Sequence, residues 1–130
     1  MILGLAINAC ATAPSQQLLV DCAAAGQFDW QTYNHFEDEM HALGIQPHIQ
    51  IWPHMHAMHA RLSRLLLNGE TEISPDDERL TYGGFPPVSD EIEKLITERM
   101  RNLAEAPVSE TRSLNRKCNR QVLRDVLRKS

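Results

Sequence analysis

Two groups of side chains in this 130-residue sequence could do chemistry, six histidines and a row of arginines. His48, His54, His56 and His59 crowd into twelve positions, with His35 and His41 shortly before them. Neutral imidazole is the commonest transition-metal ligand. On a helix, His56 and His59 stand about 60° apart and can share an ion, whereas His54 and His59 stand about 140° apart and cannot. His35 with Glu39, and Glu37 with His41, have i,i+4 spacing, so two antiparallel helices could bring such pairs together as bundle metal sites do. The pattern lacks the His-Glu-x-x-His and Cys-x-x-Cys spacings of zinc sites. No cofactor is therefore expected, and a transition metal on His56 and His59 is the alternative, third among the functional readings.

The arginines are more regular. Arg112, Arg116, Arg120, Arg124 and Arg128 recur every four residues, and Leu114, Cys118, Val122 and Val126 recur at the same step two residues out of phase. At about 100° per residue, two residues turn the helix by about 200°, so the cationic and apolar stripes oppose one another. Each four-residue step also overshoots a full turn by about 40°. Guanidinium forks one turn apart can bridge successive phosphates in contacts that are salt-sensitive and largely blind to sequence. The competing reading is an amphipathic last helix docked by its apolar stripe, with its arginines solvated or paired to acids. No zinc-finger spacing, aromatic RNP box or clear helix-turn-helix accompanies the stripe.

Charge is divided along the chain. Residues 1–110 carry 6 basic and 16 acidic side chains, whereas residues 111–130 carry 7 basic side chains and one acid, Asp125. An acidic body with a basic tail points to nucleic acid, an anionic surface or an acidic protein. Three cysteines, Cys10, Cys22 and Cys118, form no paired spacing, so three reduced, buried thiols and a cytoplasmic or other reducing compartment are expected. The apolar stretch from Met1 to Ala13 has no preceding Lys or Arg and is about half the ~20 residues of a membrane span, so burial in the core is expected and membrane insertion is not.

The elements that must position these groups read as helices. Aromatic content is only 5 % and β-branched residues are sparse after Ile51, which argues against sheets. Five helices in one compact domain over 1–130 are predicted, an acidic body over 1–110 and the basic amphipathic helix over 111–130. The first runs from Pro14-Ser15 to Ala25 and is stopped by Gly26. The second is capped by Asp29 and runs to Leu43, with Tyr33, Phe36, Met40 and Leu43 as a buried stripe and Gly44 as its stop. Ile49-Gln50-Ile51 could be a short extended piece. Pro53 opens the third helix, whose face is Met55, Met58, Leu62, Leu65 and Leu66, and Asn68-Gly69 ends it. A long loop over 70–87 follows, broken by a helical turn from Asp76 to Leu80. Ser89 caps the fourth, with an apolar seam of Ile92, Leu95, Ile96, Met100 and Leu103 that could also self-associate. Pro107 separates it from the fifth.

The string Phe36-Glu-Asp-Glu-Met40-His-Ala-Leu-Gly44-Ile45-Gln-Pro47 resembles the end of a pentatricopeptide repeat helix pair, and Ala6 to Ala11 is similar to its first helix. That class binds single-stranded RNA. The resemblance covers about a third of the chain, with about two residues too many between Cys22 and Met40. No second copy follows Trp52, a lone repeat cannot bury its faces, and no site residue is carried over.

No Walker, Rossmann or nucleophile-elbow glycine pattern is present, and the neighbouring carboxylates Glu37 and Glu39 fall on different helix faces. The expectation is a non-catalytic binding protein, an adaptor or regulator that contacts a protein partner through helix faces and the loop. Tyr82 and Phe85 are its candidate anchors, aromatics held among Gly and Pro. The alternatives are nucleic-acid binding through Arg116, Arg120, Arg124 and Arg128, or the metal reading.

Overall fold

A computed structural model describes residues 13–45 and 51–128. All of its regular structure is helical, in four main helices rather than five. Helix α1 spans Gln16–Ala42, α2 Trp52–Leu67, α3 Asp90–Glu105 and α4 Val108–Cys118. The backbone of α4 continues through a π-helical stretch, Asn119–Arg124, into a last turn, Asp125–Arg128. The expected short extended piece falls mostly outside the described residues, and Ile51 itself has helical dihedrals.

The first two expected helices are one. Ser15 caps α1 through its hydroxyl, which accepts from the Leu18 amide at 3.1 Å, and the helix runs through Gly26 without a break. Glycine in a helix interior costs about 1 kcal/mol relative to alanine, too little to stop a helix that tertiary packing supports. Gly26 is there because α2 crosses at this point. A Cβ on Gly26 would overlap the His56 carbonyl oxygen and meet Ala60 Cβ at 2.8 Å. Ala57 and Ala60 on α2 are likewise buried, so small side chains let the two helices approach. Asp29 is therefore a mid-helix residue and caps nothing. The predicted stops elsewhere hold. Gly44 and Gly69 take positive φ of 75° and 90° past the ends of α1 and α2. The Ser89 hydroxyl caps α3, and the chain leaves α3 at Ala106-Pro107.

The core has two adjoining parts. Leu19, Cys22, Leu62, Leu65, Ile73, Leu80, Cys118 and Val122 form one, between α1, α2, the loop and α4. Val20, Ala23, Ala24, Ala25, Ile96 and Leu103 form the other, between α1 and α3. The seam of α3 is thus buried at Ile96 and Leu103, while Leu95 is exposed. The stripe expected to be buried on the second half of α1 is not. No α1 residue after Gly26 is buried, and Phe36 and Leu43 are 47 % and 73 % exposed. The stripe has the helical period, but α1 runs past the described elements that could cover it. Its 27 residues span about 40 Å against about 24 Å for the 16 of α2.

Cys22 and Cys118 are joined by a disulfide that ties α1 to α4, with a Cα–Cα distance of 5.6 Å. This corrects the expectation of reduced thiols at these two positions. Cysteine count and spacing carry no sign of a pair 96 residues apart. Cys10 and all of the apolar N-terminal stretch before Ala13 lie outside the described residues, and so do Gln46 and Pro47 of the repeat-like string and His48. Among the described residues no helix is long and apolar enough to cross a membrane.

The connection between α2 and α3 is ordered by its contacts with α2. A 3-10 turn, Glu78–Leu80, sits where one helical turn was expected. Ile73, and Leu80 of the turn itself, are fully buried. Two arginines of α2 hold its carbonyls. Arg61 donates to Leu80 O at 3.3 Å and Gly83 O at 3.0 Å, and Arg64 donates to Pro86 O at 3.0 Å. Asn68 donates to Pro87 O at 2.7 Å. Loop carbonyls shielded from water need such donors, because an unpaired one costs as much as a lost hydrogen bond.

Candidate functional site

The last helix presents the arginine stripe as a free cationic face. Its inner side is fixed by Cys118 in the disulfide, by Val122 and Leu123 in the core, and by Asn115, whose amide donates to Ala25 O at 3.3 Å. Arg112, Arg116, Lys117, Arg120, Arg124 and Arg128 all face solvent. Among the described residues only Arg124 meets an acid, its neighbour Asp125 at 4.0 Å.

The arginines of the body behave differently. Arg64 pairs with Glu93 through both nitrogens at 2.9 Å. Arg79 bonds Glu70 and Asp77, each at 2.8 Å. Arg99 bonds Asp21 at 3.0 Å and lies 3.6 Å from Glu110. Arg61 donates to loop carbonyls. Of the body's arginines only Arg101 is exposed without a partner among the described residues. The acids of the body are thus matched locally or solvated, and they do not reach the stripe.

The π-helical stretch over Asn119–Arg124 sets the direction of the stripe. In an α-helix four steps of four residues would spread the arginines by about 160° around the axis. An i→i+5 turn holds more residues than an α turn, so a four-residue step overshoots less there. The segment therefore keeps Arg116, Arg120 and Arg124 outward while Cys118 and Val122 stay inward with no exposed surface. Sequence reading missed this element, although a strict four-residue period in both stripes is the signal that could have found it.

The histidines are brought together in part. His56 Nδ1 lies 2.7 Å from Asp29 Oδ2 across the α1–α2 crossing. The His56 and His59 rings are 5.6 Å apart between centroids. His59 is fully buried, and neither ring nitrogen has a hydrogen-bond partner. Burial first, and His56 second, pull its pKa from 6.5 down to about 3; the nearby Asn115 side chain and Cys22 backbone oppose the shift without reaching hydrogen-bond geometry. His59 is therefore neutral at ordinary pH. His35 pairs with Glu39 on the exposed side of α1 at 3.1 Å, while His54 packs edge-on against Trp30 at 4.8 Å. Among the described residues no three His, Cys, Asp or Glu side chains converge as a metal site.

The two loop aromatics part company. Tyr82 is 75 % exposed. Phe85 folds back, half-buried, with the Arg61 guanidinium 5.0 Å and the Arg64 guanidinium 5.9 Å from its ring centre. Comparison with known proteins finds no matching family model, no matching curated protein and no matching solved structure.

Proposed function

We propose that this is a non-catalytic helical binding protein whose last helix contacts the phosphate backbone of nucleic acid. One observation carries the reading. Arg112, Arg116, Arg120 and Arg128 are exposed with no acidic partner among the described residues, while most arginines of the acidic body are engaged. Residues 112–128 extend about 24 Å along the axis at 1.5 Å per residue, enough to follow several phosphates. The contacts are guanidinium to phosphate oxygen, which position a protein on nucleic acid without reading bases.

The test is fluorescence anisotropy with labelled single-stranded RNA and duplex DNA at several salt concentrations, on wild type and on Arg116→Ala/Arg120→Ala/Arg124→Ala. With three to four phosphates neutralised, log K should fall with log salt at a slope of about −3 for duplex DNA and about −2 to −3 for a single strand. The triple variant should flatten it. Absence of binding at low salt overturns the reading.

The adaptor reading keeps one specific support. Tyr82 projects from a loop whose carbonyls are held by Arg61 and Arg64. An aromatic on a fixed backbone is a contact residue of low entropic cost. Loss of partner binding in Tyr82→Ala, with stripe binding unchanged, would favour it.

A further inference from the structure

The second half of α1, which no described element buries, has the chemistry of a docking surface, and it lies apart from the arginine stripe. Tyr33, Phe36, Met40 and Leu43 follow one another at steps of three, four and three. That is the a/d spacing of a helix that packs along a second helix. Tyr33 already packs with Trp30 and His54 at the inner end of the row. Phe36 and Leu43 are exposed, and Ile45, Ile51 and Trp52 add exposed apolar surface at the same end of the hairpin. Large apolar side chains gathered on a water-facing surface mark interaction sites.

The charges choose the occupant. With Phe36 at d and Met40 at a, Glu37 takes position e and Glu39 position g, the two flanks of the seam, while Asp38 falls at f, on the side away from it. No Lys or Arg occurs anywhere before Arg61. A second copy of this chain fits poorly. Antiparallel, Glu37 would face Glu37 and Glu39 would face Glu39. Parallel, they would face Thr32 and Gly44 and find no cation. Flanking charges of this kind select partner and orientation. We infer that the seam over Phe36, Met40 and Leu43 docks an amphipathic helix of another protein whose flanking positions carry Arg or Lys.

The chain supplies its own reporter. Its two tryptophans, Trp30 and Trp52, both sit at this end, and Trp52 is 62 % exposed. Full-length protein is titrated with three Trp-free synthetic peptides. One is a helix with Leu at a and d and Arg at e and g, the second has the same composition in scrambled order, and the third has Glu at e and g. The basic helix should give a saturable blue shift, with the other two at least about tenfold weaker. Phe36→Ser/Leu43→Ser should weaken it about tenfold, while thermal unfolding stays unchanged because both side chains are exposed. Glu37→Lys/Glu39→Lys should reverse the preference toward the acidic helix, and the Arg116, Arg120 and Arg124 triple variant should leave it intact. Equal binding of the scrambled peptide, a preference that survives the charge reversal, or no binding overturns the inference. So does a concentration-dependent dimer that Phe36→Ser/Leu43→Ser abolishes, which would assign the seam to self-association.

Discussion

Gly26 of α1 lies directly beneath the His56 carbonyl of α2, closer than any side chain there would allow. The contact fixes the crossing of α1 and α2 and sets His56 beside Asp29, one turn further along α1. Gly26→Ala should accordingly lower stability, even though alanine is the better helix former by about 1 kcal/mol. The obstructing atom is backbone, so the helices must separate, and overpacking of this kind costs about 1–3 kcal/mol. Urea denaturation of the two proteins checks this; an unchanged or raised midpoint would mean that the crossing is loose.

Arg64 joins four parts of the fold through one guanidinium. It bonds Glu93 of α3 twice, Gln27 of α1 at 2.8 Å and the loop carbonyl of Pro86. Arg64→Met should cost about 2–4 kcal/mol, because Pro86 O and Gln27 then lose their partner in a buried setting. Glu93→Gln should cost less, since that carboxylate is 45 % exposed and water screens it. Arg64 holds the Glu93 pKa below its ordinary 4.5. The stabilisation is therefore present above pH 4.5 and is lost as pH falls through the lower folded value. Equal denaturation midpoints for wild type and Arg64→Met would contradict this account.

What could be read in the sequence was local. Ser15, Gly44, Gly69, Ser89 and Pro107 punctuate helices by their own backbone and hydrogen-bonding chemistry, and all act where they were placed. What could not be read depended on another element. Gly26 looks like a stop until α2 is seen against it. Phe36 and Leu43 have the period of a buried stripe, but period does not say whether a partner helix is long enough to cover it. Cys22 and Cys118 need the fold to meet. Arg61 and Arg64 appear only as charges on the third predicted helix, because loop carbonyls leave no trace in composition. The arginine stripe was legible as a stripe, whereas its lack of acidic partners required the positions of the acids.

The disulfide closes a loop of nearly the whole described chain. Joining residues 96 apart should stabilise the fold by about 4–5 kcal/mol, chiefly by restricting the unfolded chain. Reduced protein, or Cys22→Ala/Cys118→Ala, should therefore unfold at much lower urea, with hydrogen exchange rising first over 108–128. The arginine stripe would then lose its anchor, and nucleic-acid affinity should fall with the order of that helix. Identical midpoints with and without reductant would show that α4 is held by its apolar stripe alone.

His59 ties stability to mild acidity. Its neutral ring is enclosed by α1, α2 and α4, with His56, the Asp29 carboxylate beyond it, Asn115 and the Cys22–Cys118 disulfide as its polar surroundings. No carboxylate among the described residues touches it directly. Unfolding restores an ordinary pKa of 6.5 against about 3 in the fold. The unfolded chain therefore binds a proton that the folded chain refuses, and stability falls as pH drops from 6.5 toward 3. One proton sets the limit at about 1.4 kcal/mol per pH unit. The window separates this effect from that of Glu93, which begins only below pH 4.5. Between pH 6.5 and 5 the loss should vanish in His59→Leu, whose side chain fills similar space without titrating. Urea midpoints measured across that interval for both proteins decide the matter, and a slope that survives the substitution would move the titration to another histidine.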